Sequence, residues 1–117
     1  MTKPGVTAVG GVFFKARDPE MIQEWYAKHL GLRAEDTWKS GSTVWAVFPE
    51  TSNYFDPSQK PFMINYRVRD LVGLLAELEQ AGVAVGEKIR VEETGRFCWI
   101  MDPEGNRIEL WEPAEGG

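Results

Sequence analysis

The sequence has little of the chemistry that disulfides, metal sites and nucleic-acid surfaces need. It contains one cysteine, Cys98, and one histidine, His29, in 117 residues. A single cysteine cannot form an intrachain disulfide, so Cys98 is interpreted as a small core residue, with a reactive thiol as the alternative. The net charge of −5 without a basic run disfavours a nucleic-acid partner.

Long apolar runs are also missing. No stretch approaches the ~18 apolar residues of a transmembrane helix, and the first residues, MTKPGVTAVGG, lack the apolar core of a signal peptide. We therefore expect a cytoplasmic protein with no membrane partner. The hydrophobic fraction of 43% is enough for the core of one domain.

An internal repeat organises the chain. The stretch GVFFKARDPEMIQEWYAKHLGL from Gly11 and the stretch MINYRVRDLVGLLAELEQAGV from Met63 share one plan. Each has an alternating strand, an Arg-Asp pair, an amphipathic helix and a glycine, and aspartate and glycine are typical helix caps. The predicted caps are Asp18, Gly31, Asp70 and Gly82.

Further strands follow each predicted helix, so the order β-α-β-β-(β) occurs twice. They are predicted at about 33–39 and 43–49, joined at Ser40-Gly41, and at about 84–92, 95–101 and 106–112. The last two form a hairpin through DPEGN, in which Gly105 takes a positive φ. The polar segment 51–61 with its two prolines is predicted as a linker with room for one short strand.

Alternation along the strands predicts which side chains face a ligand. In the first strand Val12, Phe14 and Ala16 should lie under the helix, while Phe13 and Lys15 face away from it. Helices cover one side of the sheet, so the other side is where a ligand can bind. The predicted ligand-binding residues are Phe13, Lys15, Trp45, Asn65, Arg67, Trp99, Glu109 and Trp111.

Glu109 is a carboxylate between apolar neighbours in the last predicted strand, RIELWEP. A buried carboxylate needs a partner, and Lys15, Arg67 and Arg107 are the available cations. A salt bridge is the first interpretation. The alternatives are a ligand-binding or acid–base carboxylate, which makes Glu109 the candidate catalytic residue, and a metal ligand.

Two signatures resemble the vicinal oxygen chelate superfamily of glyoxalase I, bleomycin-resistance and extradiol dioxygenase relatives. They are FFKARD from Phe13, leading to WY at Trp25 and HLGL from His29, and DPEGNRIEL from Asp102. The resemblance implies an α+β fold in which two tandem βαβββ modules form a curved mixed sheet around a concave cleft. The expected domain is 1–117, with module one at about 6–52, a linker at about 53–61 and module two at about 62–112. Homodimers are common in this superfamily, so a homodimer is expected.

The resemblance also implies a divalent metal held from the concave strands by His, Gln or Glu. Glu109 matches the last-strand ligand, but Gly11 and Met63 stand at the two first-strand positions, and residues 44–47 offer no ligand. His29 is predicted at a helix end as a structural or surface residue. We expect no metal and no cofactor, because such sites need three or four protein ligands. Extradiol dioxygenase chemistry, which needs two His and one Glu, is excluded.

Three functions follow as hypotheses. The first is a metal-free protein that binds a small aromatic or cationic molecule in an aromatic cleft, as in bleomycin-resistance proteins. The second is a glyoxalase-related lyase or isomerase with Glu109 as general base and Arg67 or Lys15 at an oxyanion. The third is a structural or partner-binding module whose cleft is filled by its own aromatic side chains.

Overall fold

Six strands and three helices make up the part of the chain that the computed structural model describes, residues 3–39, 43–86 and 89–114. The first half contains two helices in succession between its strands. The elements are β1 (Gly5–Ala16), α1 (Pro19–Leu30), α2 (Ala34–Lys39), β2 (Val44–Pro49), β3 (Phe62–Arg69), α3 (Leu71–Gln80), β4 (Arg90–Glu92), β5 (Gly95–Met101) and β6 (Arg107–Pro113).

The strands form one mixed sheet in the order β2-β1-β3-β6-β5-β4. The two central strands, β1 and β3, are antiparallel, and each has a parallel outer neighbour, β2 and β6. A parallel neighbour requires a crossover connection, and the helices supply it in both halves. The predicted α+β fold with a curved mixed sheet is confirmed.

Three of the four predicted helix caps are confirmed, whereas the C-cap of α3 is Ala81, one residue before the predicted Gly82. The side chain of Asp18 accepts a hydrogen bond from the amide of Met21 at 3.1 Å, and Gly31 ends α1 with φ 67°. The side chain of Asp70 accepts from the amide of Gly73 at 3.1 Å. These contacts satisfy amides that have no partner within a helix. Within the described ranges, no helix is long and apolar enough to cross a membrane.

The core is divided between the two faces of the sheet. Beneath α3, Leu71 packs with Val68, Cys98 and Leu110, and all four side chains are buried. On the opposite face Phe55, Met63 and Trp99 form a second buried cluster. The concave face is therefore partly filled by the protein itself.

The predicted strand at 33–39 is wrong, because Ala34–Lys39 is helix α2. Glu35 and Asp36 lie in its first turn, where carboxylates favour a helix N-terminus. The side chain of Thr37 accepts a hydrogen bond from the amide of Trp45 at 3.0 Å, so α2 lies against β2. The predicted joint at Ser40-Gly41 lies outside the described residues.

The predicted strand at 84–92 and the optional short strand in the linker also differ from the structure, whereas the predicted turn at Gly105 agrees. Instead of a strand over 84–92, the described residues show a bridge between Val85 and Ile100 and the three-residue strand β4. The hairpin after β5 has its predicted positive φ, 84° at Gly105. Residues 50–61 form turns, without the short strand that the sequence allowed.

Candidate functional site

Glu109 lies at the centre of the concave face and is 2% exposed. Its register partners are Asn65 on β3 and Trp99 on β5. Side chains of cross-strand partners lie on the same face, so the three meet. The amide Nδ2 of Asn65 donates to Oε1 of Glu109 at 2.6 Å, and the indole Nε1 of Trp99 donates to Oε2 at 2.9 Å.

Tyr54, from the segment that joins the two halves, supplies a third donor. Its hydroxyl donates to Oε2 of Glu109. Burial, followed by the negative charge of Glu109, raises the pKa of Tyr54 well above its usual range. The phenol therefore stays protonated and remains a donor. Sequence reasoning missed this residue because it treated 53–61 as a linker, although the pair Tyr54-Phe55 is a local aromatic signal within it.

The predicted salt bridge at Glu109 is replaced by these three neutral donors. Each of the three candidate cations instead lies over an aromatic ring, where a cation is attracted by the π face. The ring partners are Phe55 for Lys15 at 5.3 Å, Trp111 for Arg67 at 5.4 Å and Trp99 for Arg107 at 5.0 Å. The carboxylate is held by hydrogen bonds within the face.

Aromatic side chains fill one end of the concave face. The rings of Phe48 and Tyr54 stack with centroids 5.4 Å apart, and Phe55 lies 5.2 Å from Phe48. Phe55 and Met63 are completely buried there. The segment 50–61 therefore covers this end of the face and is called the plug below.

The other end of the face is open and holds a cavity of about 300 Å³. Its walls are largely aromatic and its polar groups gather around Glu109. The sequence predicted four of the lining residues: Phe13, Asn65, Glu109 and Trp111. It did not predict the other five: Gly10, Val44, Tyr54, Thr94 and Phe97. The lining residues are Gly10, Phe13, Val44, Tyr54, Asn65, Thr94, Phe97, Glu109 and Trp111.

Trp45 does not face this cavity, contrary to the sequence-based expectation. Its ring packs 4.9 Å from Tyr26 and 5.7 Å from Phe14, beneath α1. Its neighbour Val44 lines the cavity, and successive strand residues alternate between faces. The predicted residues Lys15, Arg67 and Trp99 are also not among those that line the cavity. Trp99 instead donates a hydrogen bond to Glu109 from its buried position.

The residues present do not fit the divalent metal that the family resemblance implies. A side chain at Gly11 would meet the ring of Phe13 at 3.0 Å and the carbonyl oxygen of Val44 at 3.2 Å. Met63 is buried in the apolar cluster. No group of three His, Cys, Asp or Glu able to hold a metal occurs in the described part of the chain.

A family sequence model matches residues 9–110. The chain belongs to the Glyoxalase/Bleomycin resistance protein/Dioxygenase superfamily. The predicted resemblance is confirmed, and the match includes both halves of the repeat. No curated protein shows significant sequence similarity to this chain.

Solved structures of the superfamily share the fold. Methylmalonyl-CoA epimerase from Mycobacterium tuberculosis is 26% identical, with 93% of this chain and 89% of that chain covered and a TM-score of 0.63. A variant epimerase from Streptomyces coelicolor in complex with 2-nitronate-propionyl-CoA is 16% identical, with 94% and 99% covered and a TM-score of 0.68. A superfamily member from Vibrio splendidus 12B01 is 10% identical, with 92% and 99% covered and a TM-score of 0.62.

Proposed function

We propose that this superfamily member binds a small planar molecule in the cavity beside Glu109, without a metal. The observation that carries the proposal is the division of the concave face into a plugged end and an open end of about 300 Å³. A volume of this size is at the lower limit of ordinary small-molecule sites.

The lining suits a flat ligand. Phe97 and Trp111 lie nearly parallel, with centroids 6.0 Å apart and 4° between their planes, and Phe13 lines the same cavity. Aromatic walls give large apolar contact area with a preferred stacking direction. Sequestration needs only this shape and a few polar anchors, for which Asn65 and Glu109 are the candidates.

A panel of neutral bicyclic probes, including indole, quinoline and 2-naphthol, tests the proposal by calorimetry and by tryptophan fluorescence. Trp111→Ala removes one wall and should weaken binding of any probe that binds by about tenfold or more. Trp25→Ala is the matched control, because Trp25 is half exposed on α1. Absence of binding across the panel, or equal affinity in both variants, would contradict the proposal.

Isomerisation of a CoA thioester is the second candidate function. It is supported by the 26% identity to the M. tuberculosis epimerase and by the carboxylate that lines the cavity. Three donors on Glu109 weigh against it, because they already occupy three of the acceptor positions of the carboxylate. Solvent deuterium incorporation into methylmalonyl-CoA, lost in Glu109→Gln, would support it. No incorporation in the wild type would exclude this substrate.

The expected homodimer stays a prediction. Light scattering across a concentration series tests it, since a stable dimer of this chain would scatter with twice the monomer mass. A monomer at all concentrations would show that the cavity is completed within one chain.

A further inference from the structure

Among the described residues, three donors bind Glu109, which leaves one acceptor position of the carboxylate open. A carboxylate offers about four acceptor positions on its two oxygens. Tyr54 and Trp99 both donate to Oε2, whereas Asn65 alone donates to Oε1. The remaining position is therefore on Oε1, in a side chain that lines the cavity.

The amide of Asn65 holds the carboxylate in place. Its Nδ2 donates to Glu109, and its Oδ1, which is buried from solvent, has no hydrogen-bond partner among the described residues. Turning the amide over would place its oxygen against the carboxylate, so the orientation is fixed. A Cβ at Gly10 would lie 2.3 Å from this Oδ1, so the glycine, which also lines the cavity, makes room for the amide.

The hydroxyl of Tyr54 presents a further acceptor. Its proton is directed to Glu109, which leaves the phenol oxygen to accept. The carbonyl oxygen of Thr94 already accepts from the indole of Trp111 at 2.9 Å and from the amide of Ala114 at 3.0 Å. The groups around Glu109 therefore favour a ligand that donates hydrogen bonds.

Charge points in the same direction. Glu109 is 2% exposed, and among the described residues its three hydrogen-bond donors are all neutral. A cation bonded directly to a buried carboxylate offsets part of the cost of burying its charge. The π face of Phe13, which also lines the cavity, attracts cations as well. Arg67 stacks on the indole of Trp111, so the charge of a ligand should lie toward Glu109.

We infer that the cavity selects a planar cation with N–H donors, such as an amidinium or a protonated amino-heteroaromatic ring, with one N–H bound to Oε1 of Glu109. This inference rests on the proposed function, since it requires that the cavity binds a planar molecule. It goes further by naming the charge, the donor group and the receiving atom.

Four phenyl probes of similar size separate charge from hydrogen bonding: benzamidine, benzamide, phenyltrimethylammonium and benzoate. Charge-assisted hydrogen bonds are about twice as strong as neutral ones, so benzamidine should bind about tenfold tighter than benzamide by calorimetry. Phenyltrimethylammonium, a cation without N–H, should fall well below benzamidine. Benzoate should bind weakest.

Glu109→Gln should lower benzamidine affinity about tenfold to a hundredfold and leave benzamide nearly unchanged. Glu104→Gln is the matched control, because it removes the same charge at an exposed position of the β5–β6 turn. If Glu109→Gln does not fold, the wild-type ranking of the four probes decides alone.

The outcomes separate the inference from the proposal beneath it. Equal affinity for benzamidine and benzamide, or a preference for benzoate, would overturn the cation inference while the neutral bicyclic probes still report a planar site. Equal affinity for benzamidine and phenyltrimethylammonium would overturn the role of the N–H donor. Failure of every probe, neutral and charged, would overturn both.

Discussion

The two halves of the chain begin with the same sequence plan but bury their helices to different extents. Leu71 at the start of α3 is completely buried, while α1 has no buried residue. On α1, Met21, Trp25 and Leu30 are 60%, 50% and 64% exposed. An amphipathic repeat therefore predicts that a helix forms without predicting how deeply it packs.

The difference comes from what lies beneath each helix. Under α3 the strands β3, β5 and β6 present Val68, Cys98 and Leu110, with further partly buried aliphatic side chains around them. Helix α1 instead packs through a group of aromatic rings. They are Phe14 on β1, Trp45 on β2 and Tyr26 on the helix itself. The three rings pack with centroids 4.9 to 6.0 Å apart, and each of them stays partly exposed.

The sharpest test compares one aliphatic residue from each helix. Leu71→Ala should lower the free energy of unfolding by about 2–5 kcal/mol, because it leaves a cavity in the cluster beneath α3. Ile22→Ala, at a half-buried position of α1, should cost about 1 kcal/mol. Urea unfolding followed by far-UV circular dichroism measures both. Equal losses would show that exposure does not distinguish the two helices.

The two N-cap aspartates allow a second comparison. Asp18 has φ −129°, whereas Asp70 has φ 56° in the left-handed region. Asp18→Ala removes only the cap and should lower the free energy of unfolding by about 1 kcal/mol. Asp70→Ala also places alanine in a left-handed conformation, so it should lower the free energy of unfolding by about 2 kcal/mol in total.

Asp70→Gly separates the two contributions, because glycine adopts a positive φ without that cost. Denaturant unfolding should show it to be less destabilised than Asp70→Ala. If both substitutions at this position cost the same, the left-handed backbone contributes nothing to the difference between the caps.

The smallest expected effect concerns thiol reactivity. Burial raises the pKa of the Cys98 thiol, so little thiolate is present at neutral pH and the core must open for reaction. In a Cys98→Ser background, Ile22→Cys should react with a disulfide reagent at least about tenfold faster than native Cys98. The same reaction in denaturant, where both thiols are fully accessible, is the control. Similar reaction rates of the two thiols in the folded protein would contradict the predicted difference.

Sequence reasoning predicted the family, three helix caps and several residues that line the cavity, because each of these depends on local spacing. Strand alternation placed Phe13, Asn65 and Trp111 beside Glu109. Strand alternation failed at Trp45, because it did not show on which face of the sheet this side chain lies until the neighbouring strands were known. It also failed at residues 33–39, where a short segment between apolar residues is compatible with a helix or a strand.

The sequence by itself determined that Gly11 and Met63, at two positions of the family's ligand pattern, carry no suitable ligand atom. Only the tertiary structure decided which groups surround Glu109. Tyr54 reaches Glu109 across 55 positions of the chain, and the segment that carries it closes one end of the cleft. Such contacts depend on how a loop crosses the sheet. The periodicity of a sequence reflects local structure only, so it does not predict where the loop lies.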